Sequence, residues 1–328
     1  MEIGYALSSE EHAPLDLVKH ARAAEEAGFG FALVSDHFHP WIDRQGHSPF
    51  VWGVLGALSQ ATERLTIGTG VTCPTIRIHP AIVAQAAATA ASLLPGRFFL
   101  GVGTGENLNE HVLGDRWPSA LERRDMLREA VYVMRSLWEG DLWSFDGDYY
   151  TVDNARLYTL PPNEIEIVVA AGGPEAAQLA GDIGDGLVAT HPDVELVDAF
   201  VAAGGAGPRY GQLTVCWAAR ESDARRTALE WWPNGGLQGT LSQELPLPSH
   251  FEAAASMVTE DDVADEVVCG PDPAAHLDAI ATFAEAGFDH VYIHQVGPDQ
   301  AGFVDFYERE ILDDARDLVV RGSVSAAA

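Results

Sequence analysis

An acid and an imidazole stand side by side in this sequence, at the point where an apolar run ends. Phe31–Val34 is followed at once by Ser35, Asp36 and His37. A short apolar run bounded by polar residues is typical of a strand buried on both faces of a parallel sheet. Imidazole has an unperturbed pKa of about 6.5, which suits a general base. The stretch therefore predicts acid–base chemistry at the edge of a sheet.

Other polar side chains follow other predicted strands. Glu10 comes after the first strand, Trp41 lies shortly beyond His37, and Glu106 follows the apolar run 98–102. If the strands close into a barrel, the loops that follow them converge on one mouth. Each residue alone also has an ordinary structural interpretation, such as capping a helix or filling the core. Their coincidence at strand ends is what indicates an active site.

The order of predicted elements is strand, helix, strand, helix, with short connections. This alternation predicts an α/β protein, a (β/α)8 TIM barrel, with a doubly wound open sheet as the alternative. We expect one domain over 1–328, with a hairpin insertion near 141–162, a long polar insertion near 233–260 and a terminal helix over 303–319. The strands are predicted at 3–6, 31–34, 65–71, 98–102, 165–171, 187–190, 213–218 and 290–295.

The charge balance limits the partners and suggests the surroundings of the protein. The net charge is −30, from 49 acidic against 19 basic residues, and Lys19 is the only lysine. Such a surface argues against nucleic acid and anionic membranes as partners. It fits a cytoplasm at molar salt, where the Debye length is about 3 Å, although a GC-rich genome also favours arginine over lysine. The widely spaced Cys73, Cys216 and Cys269, with no signal peptide or apolar span, predict a cytoplasmic protein.

Two further patterns concern phosphate and metal sites. Gly172-Gly173-Pro174 follows a predicted strand and precedes a helix, so its backbone N–H groups suit a phosphate, although a plain tight turn is an equal alternative. The glycines of 101–106 do not form the G-x-G-x-x-G pattern of dinucleotide loops. The histidines near the N-terminus lack zinc-site spacing, and we expect no metal.

Six motifs, taken together, resemble a known family. They are VSDHFHPW (34–41), GTGVTCPT (68–75), FLGVGTGENLNE (99–110), FDGDYY (145–150), AAGGP (170–174) and GDGLVAT (184–190). The chain resembles the luciferase-like TIM-barrel superfamily and, within it, the coenzyme F420-dependent glucose-6-phosphate dehydrogenase family. The resemblance covers nearly the whole chain and implies a barrel with the deazaflavin coenzyme in its mouth.

The resemblance also implies roles for individual residues. His37 would be the base that takes the proton from a substrate hydroxyl, with Trp41 beside the ring and the substrate. Glu106 would serve the proton balance at the deazaflavin, Glu10 would help at the substrate side, and Asp36 would contact the coenzyme. Gly70-Val71 matches the family's non-proline cis peptide, and Thr190 matches a substrate residue. The other coenzyme-lining positions are Gly70, Val71, Cys73 (in place of the usual threonine), Gly105, Glu106, Asn109, Gly172, Gly173 and Ala176.

The chain departs from the family where a sugar phosphate would be held. Family members carry a lysine shortly after the GDG…T strand, another in the insertion and an arginine ahead of the last unit. The corresponding stretches here read His191-Pro192-Asp193, an insertion without lysine, and Asp265-Glu266. Losing each charge-assisted contact costs on the order of 1.5–3 kcal/mol. We therefore expect a neutral alcohol or an unphosphorylated sugar as substrate, and not glucose-6-phosphate.

Three other functions remain as alternatives. The first is an FMN-dependent luciferase-like monooxygenase, and the second is a reductase that runs the F420 chemistry in reverse. The third is a catalytically silent coenzyme-binding relative, which the presence of Asp36, His37, Trp41 and Glu106 disfavours. The resemblance also implies a homodimer, for which the apolar, aromatic helix over 50–58 would supply an interface.

Overall fold

Parallel strands close into a barrel in the computed structural model, which describes residues 1–237 and 239–322. Each strand pairs with the next along the chain, and β8 pairs with β1 to complete the ring, while the short strand Val268–Cys269 adds beside β7. The predicted barrel is thus confirmed, and the open sheet is excluded. The barrel strands are β1 Glu2–Leu7, β2 Phe31–Val34, β3 Thr66–Thr69, β4 Phe98–Val102, β5 Ile167–Ala170, β6 Gly186–Ala189, β7 Arg209–Cys216 and β8 His290–Gln295.

Helices surround this barrel. Two of them show how the local sequence sets their ends: Pro14–Ala27 and Pro273–Ala286 each begin with proline, whose fixed φ suits the first turn. Each ends at a glycine in the left-handed region, Gly28 with φ 101° and Gly287 with φ 105°. The other longer helices are Val51–Ala61, Pro80–Leu93, Ala120–Trp138, Pro174–Ile183, Val194–Ala202, Glu221–Trp231 and Gln300–Glu310.

Alternate side chains of the strands serve two cores. Outward-facing residues such as Ile3, Val34 and Val215 join the large core between barrel and helices. Inward-facing residues form a second, smaller cluster that fills the lower part of the barrel. Its buried members are Phe31, Leu33, Phe99, Val168, Val188, Tyr210 and Tyr292. In the described part of the chain, no helix has the length and apolar character needed to cross a membrane.

Several boundaries differ from those predicted. β3 ends at Thr69, so the predicted strand 65–71 was too long, and Thr72 beyond it makes only an isolated bridge to Val102. The predicted terminal helix 303–319 begins earlier, because the Asp299 side chain accepts a hydrogen bond from the Gly302 amide. It is also interrupted at Ile311, whose φ of −122° is not helical. A second helix, Leu312–Arg316, follows the interruption.

The two insertions have different structures. The first contains the predicted hairpin, formed by the antiparallel strands Trp143–Asp146 and Thr151–Ala155. The second, near 233–260, contains only short helical segments in its described residues, which its irregular apolar pattern did not predict. They are Pro233–Gly236, Leu241–Glu244, Pro248–Ala254 and Ala255–Met257.

Candidate active site

His37 lies between two carboxyl groups from different loops. Its Nε2 is 3.1 Å from Glu10 Oε1 and 3.5 Å from Glu106 Oε2, while its Nδ1 lies 3.2 Å from the carbonyl oxygen of His39. Glu10 follows β1, His37 follows β2 and Glu106 follows β4, so the barrel brings together residues that are far apart in sequence. The structure thus places three of the four predicted catalytic side chains in direct contact.

Burial and charge act in opposite directions on the ionisable groups of this cluster. Burial alone would lower the pKa of His37, but the neighbouring Glu10 and Glu106 carboxylates raise it above its usual value. Burial would raise the pKa of Glu10, but His37 and the Ser35 hydroxyl, 2.6 Å from Oε2, bring it below its usual value. Burial raises the pKa of Glu106. Glu10 is therefore the stable anion, and Glu106 is the carboxyl that takes up a proton more readily.

Trp41, the fourth predicted catalytic residue, packs beside this cluster. Its ring centre is 5.0 Å from that of His37 and 5.1 Å from that of Phe251, in edge-to-face arrangements. The Trp41 amide donates to Gln45 Oε1 at 2.9 Å. Phe251 belongs to the second insertion, so this insertion packs against the Trp41 ring.

The second insertion contacts the loops that follow β2 and β4. In the loop after β2, the Asp43 amide donates to Glu252 Oε1 at 3.1 Å. After β4, Asn107 Nδ2 donates to the Glu244 carbonyl at 2.9 Å, and Trp117 Nε1 donates to Glu244 Oε2 at 3.1 Å. The insertion follows β7, so it reaches across the mouth to these loops.

Asp36 has both carboxylate oxygens occupied by protein groups. Thr72 Oγ1 donates to Oδ2 at 2.8 Å, and Arg77 Nη2 donates to Oδ1 at 3.0 Å. Arg77 also meets Glu110, whose Oε2 accepts from the Arg77 amide at 2.8 Å, and burial raises the pKa of Glu110 to about 7. Neither Arg77 nor Glu110 was predicted from the sequence. The available signal was a lone arginine within the otherwise uncharged stretch 65–82.

Asn109 connects the loops after β2 and β4. Its Oδ1 accepts from the Phe38 and His39 amides at 2.9 and 3.2 Å, and its Nδ2 donates to Glu106 Oε2 at 2.9 Å. This amide orients the carboxyl that faces His37. Asn109 was predicted as a coenzyme-lining residue, and the structure places it at the cluster.

The predicted coenzyme side of the mouth is tightly built near β3 and β4. The peptide bond Gly70-Val71 is cis, as the resemblance implied. Cys73 is buried, with its Sγ 3.0 Å from Thr75 Oγ1, and burial raises the pKa of this thiol well above its usual value. Gly105 has φ 77°, and a Cβ there would stand 2.6 Å from Cys73 Sγ. Only glycine suits this close approach.

Gly172 and Gly173 leave open space in front of a helix. The helix Pro174–Ile183 begins directly after them, and Ala176 lies in its first turn. A Cβ at Gly172 would meet nothing nearer than Gln243 Nε2 at 4.0 Å, and one at Gly173 nothing nearer than Glu175 Oε2 at 3.9 Å. Because neither glycine has a side chain, the space in front of the helix stays open. A helix N-terminus also favours anions. This cradle fits the phosphate of a nucleotide-like coenzyme.

Thr190 lies at the same end of the barrel, after β6 and across the ring from β2. It is exposed, and its Oγ1 is 3.0 Å from His191 Nδ1. His191 Nε2 in turn lies 3.8 Å from Glu266 Oε2. The predicted substrate residue is therefore accompanied by an imidazole and an acid, and it makes no direct contact with the His37 cluster among the contacts of the described residues.

A second acid–imidazole pair adjoins the first. Glu11 Oε2 is 3.1 Å from His294 Nε2, and Glu11 Oε1 accepts from the Gly297 amide at 2.9 Å. His294 is the penultimate residue of β8, and His37 follows β2, so Glu10 and Glu11 contact imidazoles from both neighbours of β1. We did not predict Glu11 from the sequence.

Comparison with known proteins agrees with this arrangement. The family model described as luciferase-like monooxygenase matches residues 1–290. The chain belongs to this luciferase-like family. The family was recognised correctly from the motifs, and its fold is the barrel described above.

Individual luciferase-like relatives are more informative. F420-dependent glucose-6-phosphate dehydrogenase of Nocardia farcinica is 38% identical over 332 residues, which span 97% of this chain and 99% of that protein. The enzyme of the same name from Intrasporangium calvum is 36% identical over 334 residues, or 97% of this chain and all of that protein. These names agree with the predicted coenzyme and class of enzyme.

Solved structures show the same likeness. An F420-dependent secondary alcohol dehydrogenase, in complex with an F420–acetone adduct, superposes with a TM-score of 0.89 and 33% identity, over 96% of this chain and 99% of that one. The F420-dependent tetrahydromethanopterin reductase of Methanopyrus kandleri gives a TM-score of 0.78 over 96% of this chain and 99% of that one. It is 20% identical, so it shows the shared fold only.

Proposed function

We propose that this protein is a coenzyme F420-dependent dehydrogenase that acts on a hydroxyl group. The observation that carries the proposal is the position of His37 between Glu10 and Glu106, beside Trp41 at the barrel mouth. The F420-dependent relatives at 33–38% identity support the choice of coenzyme. Flavin enzymes share the fold at much lower identity.

The residues suggest a division of labour in alcohol oxidation. Neutral His37 takes the hydroxyl proton at Nε2, and the Glu10 carboxylate stabilises the imidazolium that results. Trp41 packs against the reacting centre and excludes water. The coenzyme, when bound, would supply the hydride acceptor that oxidation of the alcohol to a carbonyl needs. Glu106, held by Asn109, provides a carboxyl that exchanges a proton with His37.

The coenzyme would be held mainly by backbone and by fixed polar groups. The cradle at Gly172 and Gly173 suits its phosphate, with Ala176 in the first helical turn. Gly70-Val71, Cys73 and Gly105 would line the adjoining wall, after the neighbouring strands β3 and β4. Thr72 and Arg77 already engage both oxygens of the buried Asp36 carboxylate, so Asp36 would act on the coenzyme as a fixed negative charge and not through a free oxygen.

Binding separates this proposal from the FMN alternative. Deazaflavin fluorescence would be titrated with the protein, and FMN fluorescence would be titrated in parallel. We expect F420 to bind and FMN to bind at least tenfold more weakly. Tight binding of FMN together with absence of F420 binding would contradict the proposal.

We further propose a neutral alcohol or unphosphorylated sugar as the substrate. Thr190 is followed by His191 and by Asp193, and Glu266 faces His191 across 3.8 Å. The stretch 233–260 contains neither lysine nor arginine. A dianionic phosphate placed here would meet acids without a compensating cation. We expect no measurable turnover of glucose-6-phosphate, and a Michaelis constant for it in the micromolar range would contradict this expectation.

A homodimer is the expected assembly. The helices Val51–Ala61 and Pro80–Leu93 contain no charged residue, in a chain whose net charge is −30. Beside them, the side chains of Phe50 and Ile82 are 60% and 58% exposed. Two copies of so acidic a chain would repel least through this uncharged face. Light scattering should give twice the chain mass, and Ile82→Glu should reduce it to one chain. A wild-type mass of 35.2 kDa would contradict this assembly.

We also propose that the protein works in a cytoplasm rich in salt. Its three cysteines, Cys73, Cys216 and Cys269, are free, as expected in a reducing interior. Its acidic surface is most repulsive when salt is scarce. The melting temperature should therefore rise between low and molar KCl, and a melting temperature that does not rise would contradict the high-salt part of the proposal.

A further inference from the structure

Three polar side chains face the interior of the barrel on β7 and β8. Tyr210 and Tyr292 belong to the cluster that fills the barrel. Because side chains alternate along a strand, Gln212 and Thr214 share the face of Tyr210, and His294 shares the face of Tyr292. We call Gln212, Thr214 and His294 the polar wall. Gln212 and Thr214 were not among the residues predicted at the mouth.

The polar wall is continuous across the two strands. In the register of β7 and β8, Gln212 lies beside Tyr292, and Thr214 lies beside His294. Gln212 Nε2 donates to Thr214 Oγ1 at 3.5 Å, the limit of a hydrogen bond. The amide and the hydroxyl therefore retain most of their capacity to bind another polar group.

Part of the polar wall is accessible from the mouth. Gln212 and Thr214 are only half-buried, whereas Leu213 and Val215, which face outward into the core, are buried. The inward cluster below them, including Tyr210, blocks access from the bottom of the barrel. Solvent therefore reaches Gln212 and Thr214 from the mouth. Across the barrel from them lie the loops after β3 to β5.

His294 supplies an independent sign of a missing partner. Its Nε2 contacts Glu11, but its Nδ1 is buried and has no hydrogen-bond partner among the described residues. Buried polar atoms without partners are rare in native proteins. The Trp232 ring covers this imidazole edge-on, with 4.5 Å between ring centres. His294 therefore carries a buried polar atom whose hydrogen bond is not made within the described protein, on the strand beside Thr214.

We propose that the polar wall binds a second hydroxyl group of the substrate while His37 takes the proton from the reacting one. The proposal rests on the proposed function and narrows its substrate class to diols, polyols and sugars. An amide and a hydroxyl both donate and accept, as a substrate hydroxyl does. An anionic group is disfavoured, because Glu11 lies against His294 and no cation faces the wall among the described contacts. A monohydric alcohol would make no hydrogen bond with these groups, so the site favours substrates with a second hydroxyl.

The test compares substrates with the same carbon skeleton. With F420 as acceptor, kcat/KM would be measured for 2-butanol, 1,3-butanediol and 2,3-butanediol, and for D-glucose as a larger polyol. We expect wild type to favour at least one polyhydroxylated compound over 2-butanol. In Thr214→Val, which keeps the shape and removes the hydroxyl, that preference should fall about tenfold. Gln212→Met should lower it in the same direction.

Controls separate the polar wall from general effects. Thr66→Val makes the same change at the start of β3, at the other end of the barrel, and should leave the preference unchanged. Coenzyme affinity, from deazaflavin fluorescence, should be the same in all variants. The role of the polar wall, but not the proposed function, would be contradicted if wild type showed no preference for polyhydroxylated compounds over 2-butanol, or if that preference were unchanged in both Thr214→Val and Gln212→Met. Failure of wild type to oxidise any of the compounds would overturn the proposed function, and this inference with it.

Discussion

The loops after β1, β2 and β4 bring two carboxyl groups and an imidazole together at the mouth, whereas β7 presents the neutral side chains of Gln212 and Thr214 and the loop after β6 begins with the hydroxyl of Thr190. On the first side, His37 Nε2 lies 3.1 Å from a carboxylate oxygen of Glu10 and 3.5 Å from one of Glu106. On the second side Gln212 is half-buried and Thr190 is exposed. Charged groups need fixed partners when they leave water, and these groups have them. In the proposed function, proton transfer belongs to the charged side, and substrate choice belongs to the more accessible side of Gln212 and Thr190.

Removing His37 should have the largest effect and should not depend on the substrate. We expect His37→Ala to lower kcat by about 10²–10⁴-fold with every alcohol, because the base is lost. Coenzyme affinity should change little, since the imidazole contacts Glu10 and Glu106 and the cradle lies elsewhere. Steady-state rates and deazaflavin fluorescence would check both points. A loss of kcat confined to diols would contradict the assignment of His37 to proton transfer for every substrate.

The buried arginine of the charged side should matter most for stability. Arg77→Met leaves Asp36 and Glu110 without their shared cation, and breaking such a buried pair costs about 3–5 kcal/mol. Because burial already raises the pKa of Glu110 to about 7, the loss should be larger above neutral pH, where that carboxyl must ionise. Urea unfolding on either side of neutrality would measure it.

Arg124→Met, on the outer helix Ala120–Trp138, is the matched control and should cost far less. Equal losses in free energy of unfolding for the two variants would show that the Asp36–Arg77–Glu110 contacts contribute nothing particular to this side of the mouth.

The pH profile should report the charge around His37. Burial would lower the pKa of His37, but Glu10 and, to a smaller extent, Glu106 raise it above its usual value. The neutral imidazole therefore forms only at higher pH than in a free histidine. Alcohol oxidation should therefore increase with pH through the raised pKa and level off. Glu10→Gln removes one carboxylate and should move this limb to lower pH. A pH-rate limb that stays in place in Glu10→Gln would show that Glu10 does not set the pKa of His37.

The raised pKa of His37 also affects the stability of the fold. Its contribution to the free energy of unfolding is fully present below about pH 6.5, and it is lost as pH rises through the folded-state pKa.

Thr190→Val should have the smallest effect. The hydroxyl is exposed and already paired with His191, so we expect less than a tenfold change in kcat/KM for neutral alcohols. A larger loss, equal to that of Thr214→Val, would place both residues on one binding surface and sharpen the assignment of β6 and β7 to the substrate.

The sequence predicted the residues of the charged side better than it predicted Gln212 and Thr214. Apolar runs located the barrel strands, and the motifs around His37 and Glu106 marked their loops. The partnership of Asp36 with Arg77 was not evident, because it joins loops after different strands. Gln212 was missed for a simpler reason: the strand was predicted at 213–218 and is Arg209–Cys216. Without the right boundary, alternation does not identify which side chains face inward.

The central claim is tested most directly by the absorbance of the deazaflavin. Purified protein would be mixed with oxidised F420 in high KCl, and 2-butanol, the butanediols, D-glucose or glucose-6-phosphate would be added in turn. The account predicts bleaching of the coenzyme band with a neutral hydroxyl compound, none with glucose-6-phosphate, and none with His37→Ala. Bleaching with glucose-6-phosphate alone, or equal bleaching in wild type and His37→Ala, would contradict it.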